Sequence, residues 1–150
     1  MTTEYKIPKG FTLVELLVVV SITGILIGLS VLGLQNARQS SRDAKRKADL
    51  GTIRSGLEMY KADCDKYYVG ASLPSPLKGS STTGSCLTAN TYISIIPADP
   101  VSPGRSYGYS SVAPGTAYIL CAALEQSTAV VPAGCAGKCV VACNYSVTNP

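Results

Sequence analysis

The side chains that could carry chemistry in this chain of 150 residues are six cysteines and one isolated carboxylate. The sequence contains no histidine, which is the commonest general base near neutral pH and the commonest metal ligand. A hydrolase built on a Ser-His or Cys-His pair is therefore excluded. We expect a protein that is not an enzyme and that holds neither a cofactor nor a metal ion.

Six cysteines in so short a chain are typical of disulfides formed in an oxidising compartment. We expect Cys64 to pair with Cys86, which closes the loop after a helix, and the other four to pair among themselves. A metal site is the alternative, because the last three cysteines are spaced by four residues. Gly137, Val140 and Val141 argue against a helix there, and a closed zinc site without histidine is disfavoured. The cysteines are Cys64, Cys86, Cys121, Cys135, Cys139 and Cys143.

The isolated carboxylate is Glu15, the only charged residue between Phe11 and Leu34. A charge at the centre of a membrane helix costs about 2.5–3.5 kcal/mol, and less near the end of the helix. Glu15 either lies close enough to the membrane surface to be hydrated or awaits a positive partner. The nearest candidate partner is the α-amino group that cleavage between Gly10 and Phe11 would create.

The distribution of charge separates a leader, an anchor, a charged segment and a nearly neutral remainder. Residues 1–10 form a polar leader, and residues 11–37 are predicted to be a transmembrane helix. The uncharged part of this segment, residues 16–37, spans about 33 Å at ~1.5 Å per residue, against a hydrocarbon core of about 30 Å. The apolar run leads directly into helix-forming residues, which favours an anchor that is retained rather than a cleaved secretory signal.

Residues 38–66 are predicted to continue the same helix, because the chain has no proline between residues 11 and 63. Apolar side chains recur at helical spacing and predict one buried face. That face is Leu50, Ile53, Leu57 and Tyr60, and the opposite face is Arg54, Glu58 and Lys61. Gly51 and Gly56 each weaken the helix by about 1 kcal/mol relative to Ala, so packing must stabilise it.

Residues 67–150 are predicted to form a small antiparallel sheet packed on the buried helix face, which gives an α+β fold. Residues 67–90 are rich in Ser, Thr, Gly and Pro and are predicted to be a long loop. The predicted strands are 91–96, 107–109, 117–123 and 139–147, with a turn at 113–116.

The segment from Lys9 to Val19 resembles the processing site and N-terminal helix of the type IV pilin and pseudopilin family. It has a basic polar leader, then Gly10 and Phe11, then Glu15 inside an apolar run. The resemblance implies a prepilin peptidase that cuts after Gly10 and methylates the new N-terminal Phe11. It also implies that Glu15 supports the docking of subunits in a filament.

Two further regions are similar to this family: residues 56–63 with Tyr67 resemble the end of its long helix, and residues 96–100 with 107–109 resemble its strand-and-turn region. Gly24 and Gly28 stand four residues apart, a spacing that lets neighbouring helices approach closely in a filament core. A generic membrane helix that merely tolerates glycine has the same pattern.

The chain departs from the family in two places. Leu32 lies in the neighbourhood where the family usually has a proline, so local unwinding of the helix would depend on glycines instead. The major pseudopilin of type II secretion carries an acidic calcium-binding loop, whereas Glu125 is the only acidic residue after Asp99 in this chain. A calcium site needs several oxygen ligands, usually including carboxylates, and is not expected here.

A cluster of basic residues follows the apolar segment. Positive charge beside a membrane is usually cytoplasmic. We nevertheless expect residues 67–150, the head, to lie outside the cytoplasm, because the cysteines favour an oxidising compartment and the family inserts with its leader inside. The cluster is predicted to be a solvated or inter-subunit salt-bridge face, and nucleic acid is a less favoured partner. Its members are Arg38, Arg42, Lys45, Arg46 and Lys47.

These features together predict a prepilin that is inserted in the inner membrane and assembled into a surface type IV pilus for motility, adhesion or DNA uptake. One alternative is the major pseudopilin of type II secretion, which would be periplasmic. The other is a membrane-anchored domain with a catalytic or ligand-binding head. The implied partners are further copies of the chain, the prepilin peptidase, an inner-membrane platform protein and an assembly ATPase.

Overall fold

The computed structural model describes residues 10–150, except for the side chains of residues 31 and 32. One helix, α1, occupies Leu13–Cys64. The strands that follow are β1 Leu77–Lys78, β2 Thr91–Ile93, β3 Gly108–Ser110, β4 Ile119–Ala122 and β5 Tyr145–Thr148. The α+β class predicted from the sequence is confirmed.

The chain divides into two compact units, Met1–Arg38 and Gln39–Pro150. In the first unit, every side chain described from Leu13 onward is exposed. α1 contains a window with a mean hydropathy of 2.5, which makes it long and apolar enough to cross a membrane. A helix that is apolar on all sides requires lipid or other helices to cover it.

A left-handed residue directly follows α1. Asp65 has a φ of 60°, a conformation that aspartate tolerates better than most residues. Its backbone N–H donates to the Lys61 carbonyl at 2.8 Å, which satisfies one of the free carbonyls at the helix end. The helix therefore ends two residues before the predicted limit of 66.

The strands of the second unit form two antiparallel sheets. β1 pairs with β2, and β4 lies between β3 and β5. The sequence predicted one sheet and a loop over residues 67–90, but β1 lies inside that segment. β5 begins at Tyr145 rather than at residue 139, because residues 139–143 form a turn closed by a disulfide.

The predicted apolar face of α1 is the centre of the core of the second unit. Its four side chains are at most 2% exposed. Aromatic rings close around them edge to face, with ring centroids 5.3 Å apart for Tyr60 and Tyr92 and 4.7 Å apart for Tyr67 and Tyr118, an arrangement that aromatic pairs favour. The core is completed by Leu77, Ile93, Tyr109 and Leu120.

Glu58 borders this core, although the sequence placed it on the face opposite the buried one. The hydroxyls of Tyr67 and Tyr118 donate to its carboxylate, at 3.0 Å and 3.4 Å. Burial, together with the Glu58 carboxylate, raises the pKa of Tyr67 to about 12. Glu58 thus satisfies the polar ends of two core tyrosines.

The two helical glycines of the second unit differ in their surroundings. A Cβ added at Gly51 would meet nothing within 4 Å, whereas one added at Gly56 would lie 2.2 Å from Ile93 Cγ1 and 2.6 Å from Ile93 Cδ1. Gly56 is therefore the position at which β2 packs directly on the helix backbone.

Substituting these glycines by alanine should change stability in opposite directions. Gly51→Ala should raise the free energy of unfolding by up to about 1 kcal/mol, the difference in helix propensity. Gly56→Ala should lower it by about 1–3 kcal/mol, because the new methyl group overpacks Ile93. Urea unfolding of both variants in detergent micelles measures this, and equal stabilisation of both would contradict the close packing at Gly56.

Candidate functional site

The predicted processing bond lies in exposed backbone directly before α1. Gly10, Phe11 and Thr12 are neither helical nor in a strand, and Phe11 is 86% exposed. Proteases cut exposed, irregular backbone most readily, since a helical bond must first be unwound. The geometry is suited to cleavage between Gly10 and Phe11.

Thr12 and Glu15 form a capping box at the start of α1. The Glu15 N–H donates to Thr12 Oγ1 at 3.3 Å. In return, the Thr12 N–H and hydroxyl donate to Glu15 Oε2 at 2.9 Å and 2.8 Å. This reciprocal pattern satisfies donors that every helix leaves free at its N-terminus. The Thr-x-x-Glu spacing in the sequence is the signal from which this cap can be predicted.

The glycines of the apolar helix have open surroundings. A Cβ added at Gly24, Gly28 or Gly33 would meet nothing within 4 Å. Large apolar side chains around them are exposed, including Ile25 at 66% and Leu29 at 67%. The helix therefore presents small and large apolar residues that only lipid or another chain can cover.

In the second unit, Arg46 is completely buried among carboxylates. Its Nε and Nη2 donate to the two oxygens of Asp99 at 2.7 Å and 3.0 Å, a bidentate pair. Its Nη1 donates to Asp43 at 2.6 Å and to Glu125 at 2.9 Å. Glu125 also accepts from Arg42 Nε at 2.7 Å. Both carboxylates that follow residue 66 are therefore bound to arginines of α1.

Asp43 extends this network to the backbone beyond β4. Its carboxylate accepts hydrogen bonds from the N–H groups of Glu125 and Gln126, each at 2.9 Å. The hydrogen bond from Arg42, followed by that from Arg46, lowers the pKa of Glu125 to about 2. The hydrogen bond that Arg46 donates to Asp99 contributes most to the raised pKa of Arg46.

This network corrects the prediction of a wholly solvated or inter-subunit basic face. Arg46 has no exposed side-chain surface and Arg42 is only 33% exposed, because both bind acids of the same chain. Arg38, Lys45 and Lys47 remain exposed. The spacing of the basic residues gave no sign of which would be buried, since the partners Asp99 and Glu125 are distant in sequence.

The structure joins the six cysteines in three disulfides. Cys64 is bonded to Cys86, Cys121 to Cys135, and Cys139 to Cys143. The sulfur atoms of Cys121, Cys135 and Cys143 lie within 4.8 Å of one another. Metal ions bind thiolates, and in this state all three sulfurs are already bonded to other sulfurs.

The exposed apolar helix, the irregular backbone directly before it and the disulfide-bonded head are features of membrane-anchored filament subunits. Residues 6–31 match the family model described as "Prokaryotic N-terminal methylation motif". No solved structure matches the chain.

Curated relatives extend this similarity beyond residues 6–31. "Type II secretion system core protein G" of Dickeya chrysanthemi is 32% identical over 65% of this chain and 70% of its own length. The protein of the same name from Pseudomonas aeruginosa is 34% identical over 72% and 75%. "Type IV major fimbrial protein FimA" of Dichelobacter nodosus is 31% identical over 56% of each chain. The chain belongs to the type IV pilin and pseudopilin family.

Membership of this family implies processing by a prepilin peptidase and self-assembly into filaments. It also agrees with anchoring through the apolar N-terminal helix. The roles of Gly10, Phe11, Glu15, Gly24 and Gly28 in processing and assembly stay predictions.

Truncating Arg46 should destabilise the second unit strongly. Arg46→Ala leaves the buried carboxylates of Asp43 and Asp99 without their cation and leaves Glu125 with Arg42 alone. We expect a loss of about 3–5 kcal/mol in the free energy of unfolding. The matched control is Lys45→Ala, whose side chain is 61% exposed and whose loss should cost at most about 0.5 kcal/mol. Urea titrations followed by near-ultraviolet circular dichroism measure both. Similar losses in the two variants would contradict the role of the network.

Acid should destabilise the second unit through the same carboxylates. The pKa of Glu125 falls from 4.5 to about 2 on folding, so the unfolded chain binds more protons in this interval. Stability from this group is complete above about pH 5 and is lost as the pH falls toward about 2. Urea unfolding at a series of pH values should show this decline, and Glu125→Gln should flatten it. An unchanged slope in the variant would exclude Glu125 as its source.

Proposed function

We propose that this protein is a structural subunit of a type IV pilus, made as a prepilin and polymerised through its apolar helix. The observation that carries the proposal is the exposure of every described side chain from residue 13 to residue 30, directly after an exposed predicted cleavage bond. A surface of this kind has no stable state in water. It is suited first to a membrane and then to a bundle of identical helices.

Cohesion in such a filament comes from close packing of helices. Within a membrane, lipid is as apolar as leucine, so helices associate through van der Waals contact where small residues allow close approach. Gly24 and Gly28 supply such positions on this helix. Assembly then moves the helix from lipid to other copies of itself, and the head remains outside the bundle.

Glu15 sets the axial position of neighbouring helices in this proposal. A carboxylate in an apolar bundle is stable only when it is paired and hydrogen-bonded. After cleavage, the α-amino group of Phe11 is the nearest cation, in the same chain or in a neighbour. Where the carboxylate pairs with the α-amino group of a neighbouring chain, a subunit shifted along the bundle would leave these charges unpaired, so such a pair favours one register.

The bound carboxylates of the head support a pilus subunit over a pseudopilin. Asp99 and Glu125 are the acidic residues after residue 66, and both form salt bridges with arginines. Their carboxylate oxygens are therefore not free to coordinate calcium. Three disulfides give the head a covalent reinforcement that suits an exposed filament. We therefore place the assembled subunit at the cell surface.

The second candidate function is that of a major pseudopilin in a type II secretion system. Two relatives named core protein G favour this function, because their alignments with this chain cover 70% and 75% of their own length. A pseudopilin would form a short periplasmic filament rather than a surface fibre. Both candidates require the peptidase, a platform protein in the inner membrane and an assembly ATPase, and neither requires an enzymatic head.

Substituting Glu15 tests the assembly role of its carboxylate. Glu15→Ala should leave insertion into the membrane intact and lower the yield of filaments severalfold, because both the cap and the charge are lost. Glu15→Gln is the matched control, since glutamine also completes a capping box but carries no charge. We expect it to fail like alanine if the ion pair sets the register. Normal filament yield from Glu15→Ala, measured by electron microscopy of sheared material, would refute the role.

Deletion of the gene for this protein in its host distinguishes a surface pilus from a secretion pseudopilus. A pilus subunit predicts the loss of surface fibres with an unchanged set of secreted proteins. A pseudopilin predicts the accumulation of secreted proteins in the periplasm with no change in surface fibres.

Mass spectrometry of the assembled chain should show Phe11 as its N-terminal residue. A chain that retains Met1 in a host with the peptidase would contradict both candidate functions.

A further inference from the structure

Four of the six cysteines are gathered in one small region of the second unit. The inner disulfide, Cys121–Cys135, is fully buried, with both cysteines at 0% exposure. The outer disulfide, Cys139–Cys143, has one half-buried member, Cys139. The two bonds belong to one cluster, separate from the remaining disulfide between the helix end and the β1–β2 region.

The sulfur of Cys143 lies against the inner disulfide. It is within 4.8 Å of the sulfurs of both Cys121 and Cys135 and 3.2 Å from the Cys135 carbonyl oxygen. Disulfides break when a thiolate attacks one of their sulfurs through a mixed-disulfide intermediate. A thiolate released at Cys143 would start within a few ångströms of such an attack, whereas a reagent in solution has no path to two fully buried sulfurs.

We propose that this cluster is a disulfide-exchange site, at which a dithiol partner opens the outer disulfide and the released Cys143 thiolate then opens the inner one. The partner is a dithiol–disulfide oxidoreductase, and it attacks this chain at the sulfur of the half-buried Cys139. The site is independent of filament assembly.

The exchange balances as two substitutions at sulfur. A partner thiolate bonds to the Cys139 sulfur, and Cys143 leaves as a thiolate. Cys143 then bonds to one sulfur of the inner disulfide and releases the other, which takes a proton. The second thiol of the partner displaces Cys139 as a thiol. The partner has lost two electrons and become a disulfide, and this chain holds one disulfide fewer and two thiols more.

Such a site has a consequence for the formation of the head. Four neighbouring cysteines can be joined in more than one way, and an incorrect pair buried under the sheet would otherwise be corrected only by unfolding. Exchange through Cys143 allows correction while the rest of the sheet stays folded. It also makes the outer disulfide the point at which reducing conditions reach the interior.

Digestion with trypsin reports the exchange directly. Cleavage after Arg105 and Lys138 places the inner disulfide within the fragment 106–138 and the outer disulfide within the fragment 139–150. The native pairing therefore leaves these fragments unlinked. A bond from Cys143 to either inner cysteine links them, and mass spectrometry identifies the linked mass after free thiols are blocked with N-ethylmaleimide.

The first experiment uses single variants of the full chain in detergent micelles without any reductant. Cys139→Ser leaves Cys143 as a free thiol beside the inner disulfide. At about pH 8, where part of an ordinary thiol is ionised, we expect the fragments 106–138 and 139–150 to become linked. Cys143→Ser is the matched control, because its free Cys139 lies outside the group of three close sulfurs. Absence of the linked fragments from Cys139→Ser, or equal amounts from both variants, would overturn the proposal.

The second experiment follows the reduction of the native chain by dithiothreitol. We expect the linked fragments to appear transiently, and the inner disulfide to open about tenfold faster than in a Cys139→Ser/Cys143→Ser double variant, which lacks the attacking thiol. The Cys64–Cys86 bond is an internal control, since its rate should be the same in both chains if the variant is folded. If the inner disulfide opens at an equal rate in both chains while the control rates agree, reduction proceeds by opening of the sheet and the proposal fails.

Discussion

A guanidinium group without any contact to solvent holds together the unit that begins at Gln39. Arg46 binds Asp43 of its own helix, Asp99 before β3 and Glu125 after β4. Burying a charge is costly unless it is paired and every donor is used, and here Nε, Nη1 and Nη2 all donate. Its partners in turn fix backbone: Asp99 accepts from the Val101 N–H and Asp43 from two N–H groups after β4. The strands are only two to four residues long, so these irregular segments depend on this network for their position.

The sequence predicted the apolar half of this arrangement and missed the charged half, for a physical reason. Leu50, Ile53, Leu57 and Tyr60 repeat with the period of the helix, and a periodic signal of large apolar residues can be found without knowing the partner. Arg46 is one basic residue among five, and its partners Asp99 and Glu125 are 53 and 79 residues away. Only the folded chain shows which cation is buried.

The same contrast between local sequence patterns and contacts formed only on folding explains which strands were predicted correctly. β4 falls inside a predicted segment and β3 overlaps one, because β-leaning residues there flank a Pro-Gly turn. β1 has two residues within a stretch rich in Ser and Thr, which is too short for any alternation to be visible. Residues 139–143 are β-branched in part, but the disulfide between Cys139 and Cys143 closes them into a turn. The disulfide thus overrides the local preference of these residues for a strand, and β5 begins only at Tyr145.

At the other end of the chain, the physical problem is a carboxylate in an apolar helix, and the capping box changes how it is understood. Before processing, Glu15 accepts hydrogen bonds from the Thr12 N–H and hydroxyl and benefits from the positive end of the helix dipole. It is thus stabilised without any cation, which suits a precursor that remains in the membrane.

Cleavage after Gly10, as proposed, replaces a neutral amide at Phe11 by an ammonium group one residue before the cap. A cation at a helix N-terminus is unfavourable to the dipole, and in a low-dielectric medium it requires an anion nearby. Glu15 already lies at that end of the helix, bound to the adjacent residue. Processing therefore converts a carboxylate that only caps the helix into one that also neutralises charge. The ammonium and the carboxylate sum to no net charge, so processed helices can be exchanged between lipid and neighbouring copies without carrying an uncompensated ion into an apolar core.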